Sequence, residues 1–503
     1  MEAARSTCTP HMMAAPTKSP CSHIGRACGA AGALHPPRRL ARWLTALTTV
    51  LACMTYAAPT ALATTTPSRL GLQASIAQAT NMNGIQLGIA FDYAATNIAA
   101  ISQDVAYIWG GYFLDWILPV HPIVKHIDGY MQFDSDPWPQ TISGHSLHYW
   151  QSVHPDWIVY RCDRKTPAYY SSNATNVPLD ITNPAVRAWQ MAQLADLFGQ
   201  GATGVAFDNF NFANADGRCG VYRNGVWTPL RYPRVWQDNA QYAGDMLAWL
   251  RAISSAVRQE YPGKTITVSL SPSVSGLANV KASVPYIDMI FDESGYTDYG
   301  KKRLTGSAWQ TETSALEYLN RQGKGFDVNA IVDEPRDSAV TSNQLNWALA
   351  NYLLVRGARS YTYVYGGKGL GFSGSPSGYG TFFDRPDYHV PIGHPVAGPY
   401  VSHGLQMRAY SGGLVIVDAR RSATYTIRLD RIYNDMGGHA ISSARLSPAT
   451  GIVLLSPSRA KPRKGSLSRL CPSPRFYEAP LTGIHLSRRG AAWHQVVLSC
   501  PAG

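Results

Sequence analysis

Thr203-Gly-Val-Ala-Phe-Asp208-Asn209-Phe210 and Ile287-Asp-Met-Ile-Phe-Asp-Glu293-Ser-Gly-Tyr296 are two short apolar runs, each ending in an acid. A run of four to six apolar and β-branched residues bounded by turn formers reads as a strand buried on both faces. Six further runs resemble them: Leu87–Asp92, Val105–Gly110, Trp157–Cys162, Ile266–Leu270, Phe326–Val332 and Ser360–Tyr365. Helical patterns lie between several of these runs. Asn183-Pro184 supplies a cap and a first-turn proline ahead of Val186, Trp189, Leu194, Leu197 and Phe198. Tyr242, Met246, Trp249, Leu250, Ile253 and Val257 make a second stripe, and Leu345, Ala348, Leu349, Tyr352 and Leu353 a third. Strand–helix alternation repeated about eight times implies an α/β protein, a (β/α)8 barrel spanning residues 85–395. Gly111 to Asp156 has no clean helical period and reads as a long loop over one face.

The pattern changes near residue 395. Gly413-Leu-Val-Ile-Val-Asp418, Thr424-Tyr-Thr-Ile-Arg-Leu429 and Gly451-Ile-Val-Leu-Leu455 alternate with turn residues, so 400–456 reads as an all-β sandwich module. Residues 457–503 form a basic tail.

The formal net charge of +12 invites a nucleic-acid or membrane reading. Its distribution argues against both. Residues 1–63 carry a net +5 and 457–503 a net +7, which leaves the body between them neutral. A groove that tracks phosphates needs its cations on the folded surface. Residues 1–63 have the order of a secretory leader: Arg38, Arg39 and Arg42, then Trp43 to Ala58, then Ala61-Leu-Ala63. Export, with lipidation at Cys53 as an alternative, is the expectation, with no stable membrane span after cleavage. Cleavage leaves Cys162, Cys219, Cys471 and Cys500, whose simplest pairing is Cys162–Cys219 with Cys471–Cys500, one of three possible. No Cys-x-x-Cys or His-x-x-x-His spacing is present, so no metal site is expected, and no cofactor is required.

A parallel barrel builds its active site at the C-terminal ends of its strands, where Asp208 and Glu293 fall. Two carboxyl groups flanking a cleft are what glycosidic-bond cleavage needs, one ionised and one holding its proton. Asp208, short and beside the amide of Asn209, suits the ionised partner; Glu293, with its longer reach, suits the proton donor. Asp92 and Asp163 also end candidate strands. Trp109, Tyr160 and Tyr296 are aromatics that could stack on sugar faces, and Asn209 could hydrogen-bond a hydroxyl. Asp292 points away from Glu293 by strand alternation, and Glu334 is a rival acid at the seventh strand end.

Val177-Pro-Leu-Asp-Ile-Thr-Asn-Pro-Ala-Val-Arg-Ala-Trp189, Gly204-Val-Ala-Phe-Asp208-Asn209 and Phe291-Asp-Glu293-Ser-Gly-Tyr296 together resemble a group of TIM-barrel glycoside hydrolases distantly like the endo-polygalactosaminidase-type barrels. The resemblance spans residues 85–456. It implies a barrel with a C-terminal β module, a polysaccharide or oligosaccharide substrate, and Asp208 with Glu293 as the catalytic pair. A non-catalytic carbohydrate-binding or surface protein on the same barrel is the alternative.

Overall fold

A computed structural model describes residues 84–90, 105–111, 126–137, 144–169, 176–210, 212–232, 239–367 and 382–457. The leader, Asp92, Cys471, Cys500 and the tail beyond 457 lie outside them.

Eight parallel strands form the central sheet, in chain order: β1 (Leu87–Ala90), β2 (Val105–Gly111), β3 (His126–Gln132), β4 (Gly204–Asp208), β5 (Thr265–Ser269), β6 (Met289–Asp292), β7 (Gly325–Val328) and β8 (Ser360–Tyr361). The sheet closes on itself. Leu87 bridges Thr362 in parallel, the Gly88 N–H donates to the Thr362 carbonyl at 3.2 Å, and the Thr362 N–H donates to Gln86 at 3.1 Å. Gly88 makes that seam possible, since a β-carbon there would sit 2.8 Å from the Asp327 carboxylate. The expected barrel is present.

Its third strand is not the expected one. Trp157–Cys162 lies outside the barrel: Pro155–Trp157 is a 3-10 turn, and Val159–Tyr160 pairs antiparallel with Gly220–Arg223. The barrel strand is His126-Ile-Asp-Gly-Tyr-Met-Gln132, inside the segment read as loop. That strand alternates polar and apolar residues because its inward side chains, Asp128, Tyr130 and Gln132, are polar. A search for unbroken apolar runs passes over it. The seventh and eighth runs are also interrupted. Ala330–Val332 and Val364–Gly366 leave the barrel ladder and pair with each other.

Four of the described helices cover the barrel strands: α2 (Pro184–Gly199), α3 (Ala240–Glu260), α5 (Gly306–Arg321) and α6 (Ser342–Val355). A short α1 (Leu147–Val153) precedes α2, and a kinked α4 (Pro272–Ser283) follows β5. Asn183 caps α2 through the Ala185 N–H at 2.9 Å, as its sequence predicts. The α3 stripe from Tyr242 to Val257 is buried as predicted, and Trp249 lies edge-on to Phe207 on the outer face of β4. α6 is buried on all sides from Trp347 to Val355, because a second layer covers its outer face.

That layer is the C-terminal module, a single six-stranded antiparallel sheet. Its strands are β9 (Tyr400–Ser402), β10 (Leu405–Tyr410), β11 (Gly413–Asp418), β12 (Tyr425–Asn434), β13 (Ala440–Leu446) and β14 (Thr450–Leu455), in the spatial order β9-β10-β11-β14-β12-β13. Period-two alternation splits β11 between two cores. Val415 and Val417 join the barrel-side core, whereas Leu414 and Ile416 join an outer cluster with Leu405 and Leu429. The Tyr410 hydroxyl donates to the Leu353 carbonyl at 2.6 Å and fastens this sheet to the end of α6.

Candidate active site

The barrel interior is filled in layers. At the bottom, Asp128 accepts from Tyr107 (2.9 Å), Thr265 (2.7 Å) and Thr267 (2.6 Å). Above it Trp109 on β2 stacks against Phe291 on β6, with ring centroids 4.1 Å apart, and Tyr130 meets Trp109 edge-on at 6.2 Å. The stack plugs the barrel. Asp208 pairs in register with Gln132, Ser269 pairs with Phe291, and Glu293 follows the end of β6 by one residue.

Asp208 ends β4, beside Gln132 on β3. The Tyr130 hydroxyl donates to its Oδ2 at 2.9 Å, and the Asn209 N–H to its Oδ1 at 2.8 Å. Asn209 adopts a left-handed φ of 60°, a conformation that asparagine tolerates better than most residues. Ser269 on the neighbouring β5 adds a further lowering influence on the carboxyl. Gln132 Nε2 donates to the Tyr130 oxygen at 2.8 Å, and Ser135 Oγ donates to Gln132 Oε1, which completes a polar chain running to Asp208. Burial raises the Asp208 carboxyl to about 6, against the lowering effect of Asn209, Tyr130 and Ser269.

Glu293 follows β6 directly and is partly exposed; the Tyr299 hydroxyl lies 3.5 Å from its Oε2. One strand, β5, separates β4 from β6. The two acid-bearing strands are therefore about 10 Å apart across the sheet, at the same barrel end.

Asp292 is fully buried and turned outward, as alternation predicts. There it meets Glu312 of α5, whose carboxyl is raised well above its usual range by burial and by the Asp292 charge. Glu312 also accepts the Ser273 N–H at 2.9 Å.

Beyond β3, Arg218 is buried between Asp134 (2.5 Å) and Asp216 (3.0 Å). Burial raises the Asp134 carboxyl, and Asp208 adds to the rise. None of Tyr130, Gln132, Ser269, Asp134 or Arg218 is singled out by the sequence analysis. The polar alternation of His126–Gln132 is the signal that points to the first two.

Other sequence-predicted residues stand elsewhere. Trp109 is wholly buried in the barrel stack and offers no open face. Tyr296 is buried too, its hydroxyl 3.1 Å from Thr313 and its carbonyl accepting from Trp347 at 3.0 Å. Both aromatics pack the core. Asp163 is exposed and closes its own turn, accepting from the Lys165 and Thr166 amides at 2.9 Å and from the Thr166 hydroxyl at 2.6 Å. Tyr160 lies on the small sheet outside the barrel, half-buried, beside the Cys162–Cys219 disulfide. Glu334 accepts from Gln344 at 3.1 Å.

No protein-family model matches the sequence, and no curated protein matches it. Among solved structures, the glycoside hydrolase domain of PelA from Pseudomonas aeruginosa is 12% identical, with 56% of this chain covering 94% of that one at a TM-score of 0.36. An alpha-amylase from Lactobacillus plantarum is 11% identical, with 75% of this chain covering 99% of that one at 0.42. An Anoxybacillus alpha-amylase is 10% identical, with 69% covering 79% at 0.41.

Proposed function

We propose that the chain is an exported glycoside hydrolase acting on a polysaccharide or glycan, with Asp208 as nucleophile or base and Glu293 as proton donor. The observation that carries this reading is the shared barrel end of the two acids, above the closed Trp109–Phe291 stack. Two donors, the Tyr130 hydroxyl and the Asn209 N–H, converge on Asp208, which suits a carboxylate that works ionised at neutral pH. Glu293, on a turn beyond its strand and partly exposed, has the reach to protonate a leaving oxygen. Carboxyl groups about 5–5.5 Å apart when substrate is bound would retain anomeric configuration, and about 6.5–9.5 Å would invert it. Export is supported by the leader-like order of residues 1–63 and by the Cys162–Cys219 disulfide, a bond that persists in oxidising compartments.

Hydrolysis of a glycan panel by the mature chain, beside D208N and E293Q, tests the reading. Each substitution is expected to lower turnover by about 10²–10⁴-fold on whichever glycan the parent cleaves. Product release undiminished in both variants would remove the pair from the mechanism.

A further inference from the structure

The small sheet that displaced the expected third barrel strand presents a chemistry of its own. Val159–Tyr160, Gly220–Arg223 and Val226–Pro229 form three antiparallel strands, and the Cys162–Cys219 disulfide ties the first to the residue before the second. Alternation divides its two faces. Val159 and Val221 are buried with Ala168 in a small core. Tyr160, Tyr222 and Trp227 point the other way and stay partly exposed, Tyr160 while packing against the Trp150–Trp157 cluster. Tyr160 and Tyr222 meet edge-on at 5.6 Å, and Tyr222 and Trp227, cross-strand partners, meet at 5.4 Å. Gly220 lets the indole lie over the sheet, because a β-carbon there would run into the Trp227 ring.

Beside these rings stands the turn of residues 161–166, exposed throughout. It carries Arg161, Arg164 and Lys165 against the single acid Asp163, whose oxygens are taken up by the turn's own donors. The turn is fixed to the aromatic face: the Tyr222 hydroxyl donates to the Arg164 carbonyl at 3.0 Å, and the Arg164 guanidinium lies over the Trp227 ring, 5.5 Å from its centroid. Amphipathic rings beside exposed guanidinium groups suit a ligand with apolar faces and carboxylate substituents.

We infer that this face is a binding platform for an anionic polysaccharide, separate from Asp208 and Glu293. The exposed ring edges and the guanidinium lying over Trp227 meet the sugars, and the basic turn takes the carboxylates. Electrophoresis of the full chain through gels containing polygalacturonate, with dextran as the neutral control, reads it directly. The parent is retarded by polygalacturonate and not by dextran, and added salt releases it. W227A and R164Q each weaken retention about tenfold, whereas W227F, which keeps a ring over Gly220, stays within about threefold of the parent. W227F thus separates a lost platform from a lost fold. D208N is retarded like the parent, so a chain that hydrolyses no glycan yet is still retarded keeps the platform and loses only the proposed reaction. Free migration of the parent, equal retardation by dextran, or full retention in the W227A/R164Q double variant overturns the inference.

Discussion

Tyr130 reaches from β3 to β4 and gives its hydroxyl hydrogen to Oδ2 of Asp208 at 2.9 Å, because Gln132 Nε2 occupies the tyrosine oxygen as a donor from the other side. The arrangement gives Tyr130 one direction in which to donate. It holds the carboxylate ionised against a burial that pushes it up to about 6. Y130F removes that donor and should raise the Asp208 pKa further. A hydrogen bond to a charged group is worth about 1.5–3 kcal/mol, or roughly one to two pH units. The acid limb of kcat/KM should move upward by that amount while the fold persists. An unmoved limb would mean that Tyr130 does not set the charge on Asp208.

The parent's pH profile follows from the same carboxyl. A nucleophile or base works ionised, so activity should fall as pH drops through about 6, the value to which burial lifts Asp208. If activity instead rises below that pH and fades above it, Asp208 is the proton donor and the roles of the two acids are exchanged. The profile therefore decides between the roles without a ligand-bound structure.

Asp128 predicts a pH dependence of stability in place of activity. Its folded pKa, raised by desolvation to about 6, exceeds the ordinary 3.8. Between those values the folded chain holds a proton that the unfolded chain has released. Stability is thus greatest below the lower value and falls as pH rises through the upper one. The loss amounts to about 3 kcal/mol for a two-unit difference in a fully buried group. D128N cannot ionise, and whichever of the Thr265 and Thr267 hydroxyls faces its NH2 can rotate to accept while the other still donates to its carbonyl oxygen. Urea unfolding of parent and D128N across this pH range should show the slope reduced in the variant. Equal slopes would place the proton uptake elsewhere.

What the sequence made legible depended on which face of each strand met water or polar neighbours. β4 and β6 read correctly because their outward residues, such as Phe207 and Ile290, are apolar and buried under helices while Gly204, Ala206, Met289 and Phe291 on the inward side are apolar too. β3 did not, since Asp128, Tyr130 and Gln132 gave it the alternation of an ordinary half-exposed strand. With β3 hidden, the largely apolar Trp157–Cys162 reads as the third barrel strand and places Asp163 at its end. Trp109 and Tyr296 read as cleft residues for a related reason. An aromatic near a strand end has the same letter whether it lines a cleft or plugs the barrel below it. The C-terminal module was legible from the turns that separate its strands. Its docking was not, because α6 shows the usual one-sided stripe until Trp347, Ala350 and Leu354 are seen to be buried as well.

Arg218 joins Asp134 and Asp216 with an exposure of only 2%. R218M leaves two carboxylates in a space built for their counter-charge, a change that costs about 3–5 kcal/mol. The triple variant D134N/D216N/R218M carries no buried charge at these positions and should recover most of that loss. Thermal unfolding of the two variants beside the parent measures both steps. Failure of the triple variant to recover would mean that the guanidinium acts through packing and not through its charge.

The disulfide gives the last test, because its two partners are 57 residues apart and bracket β4. Only two residues of the first small strand, Val159 and Tyr160, pair with Gly220 and Val221, a ladder too short to hold the excursion by itself. Loop closure over this separation stabilises the folded chain by about 4 kcal/mol in the chain-entropy account. Cys219 also follows Arg218 directly, so opening the bond loosens the segment that places the guanidinium between Asp134 and Asp216. C162S/C219S should therefore unfold at lower urea by an amount near that figure, and hydrogen exchange should quicken first in residues 212–232. The Asp128 layer, stitched by Tyr107, Thr265 and Thr267 within the barrel, should keep its protection. Uniform loss of protection across both regions would show that the small sheet and the barrel unfold as one unit.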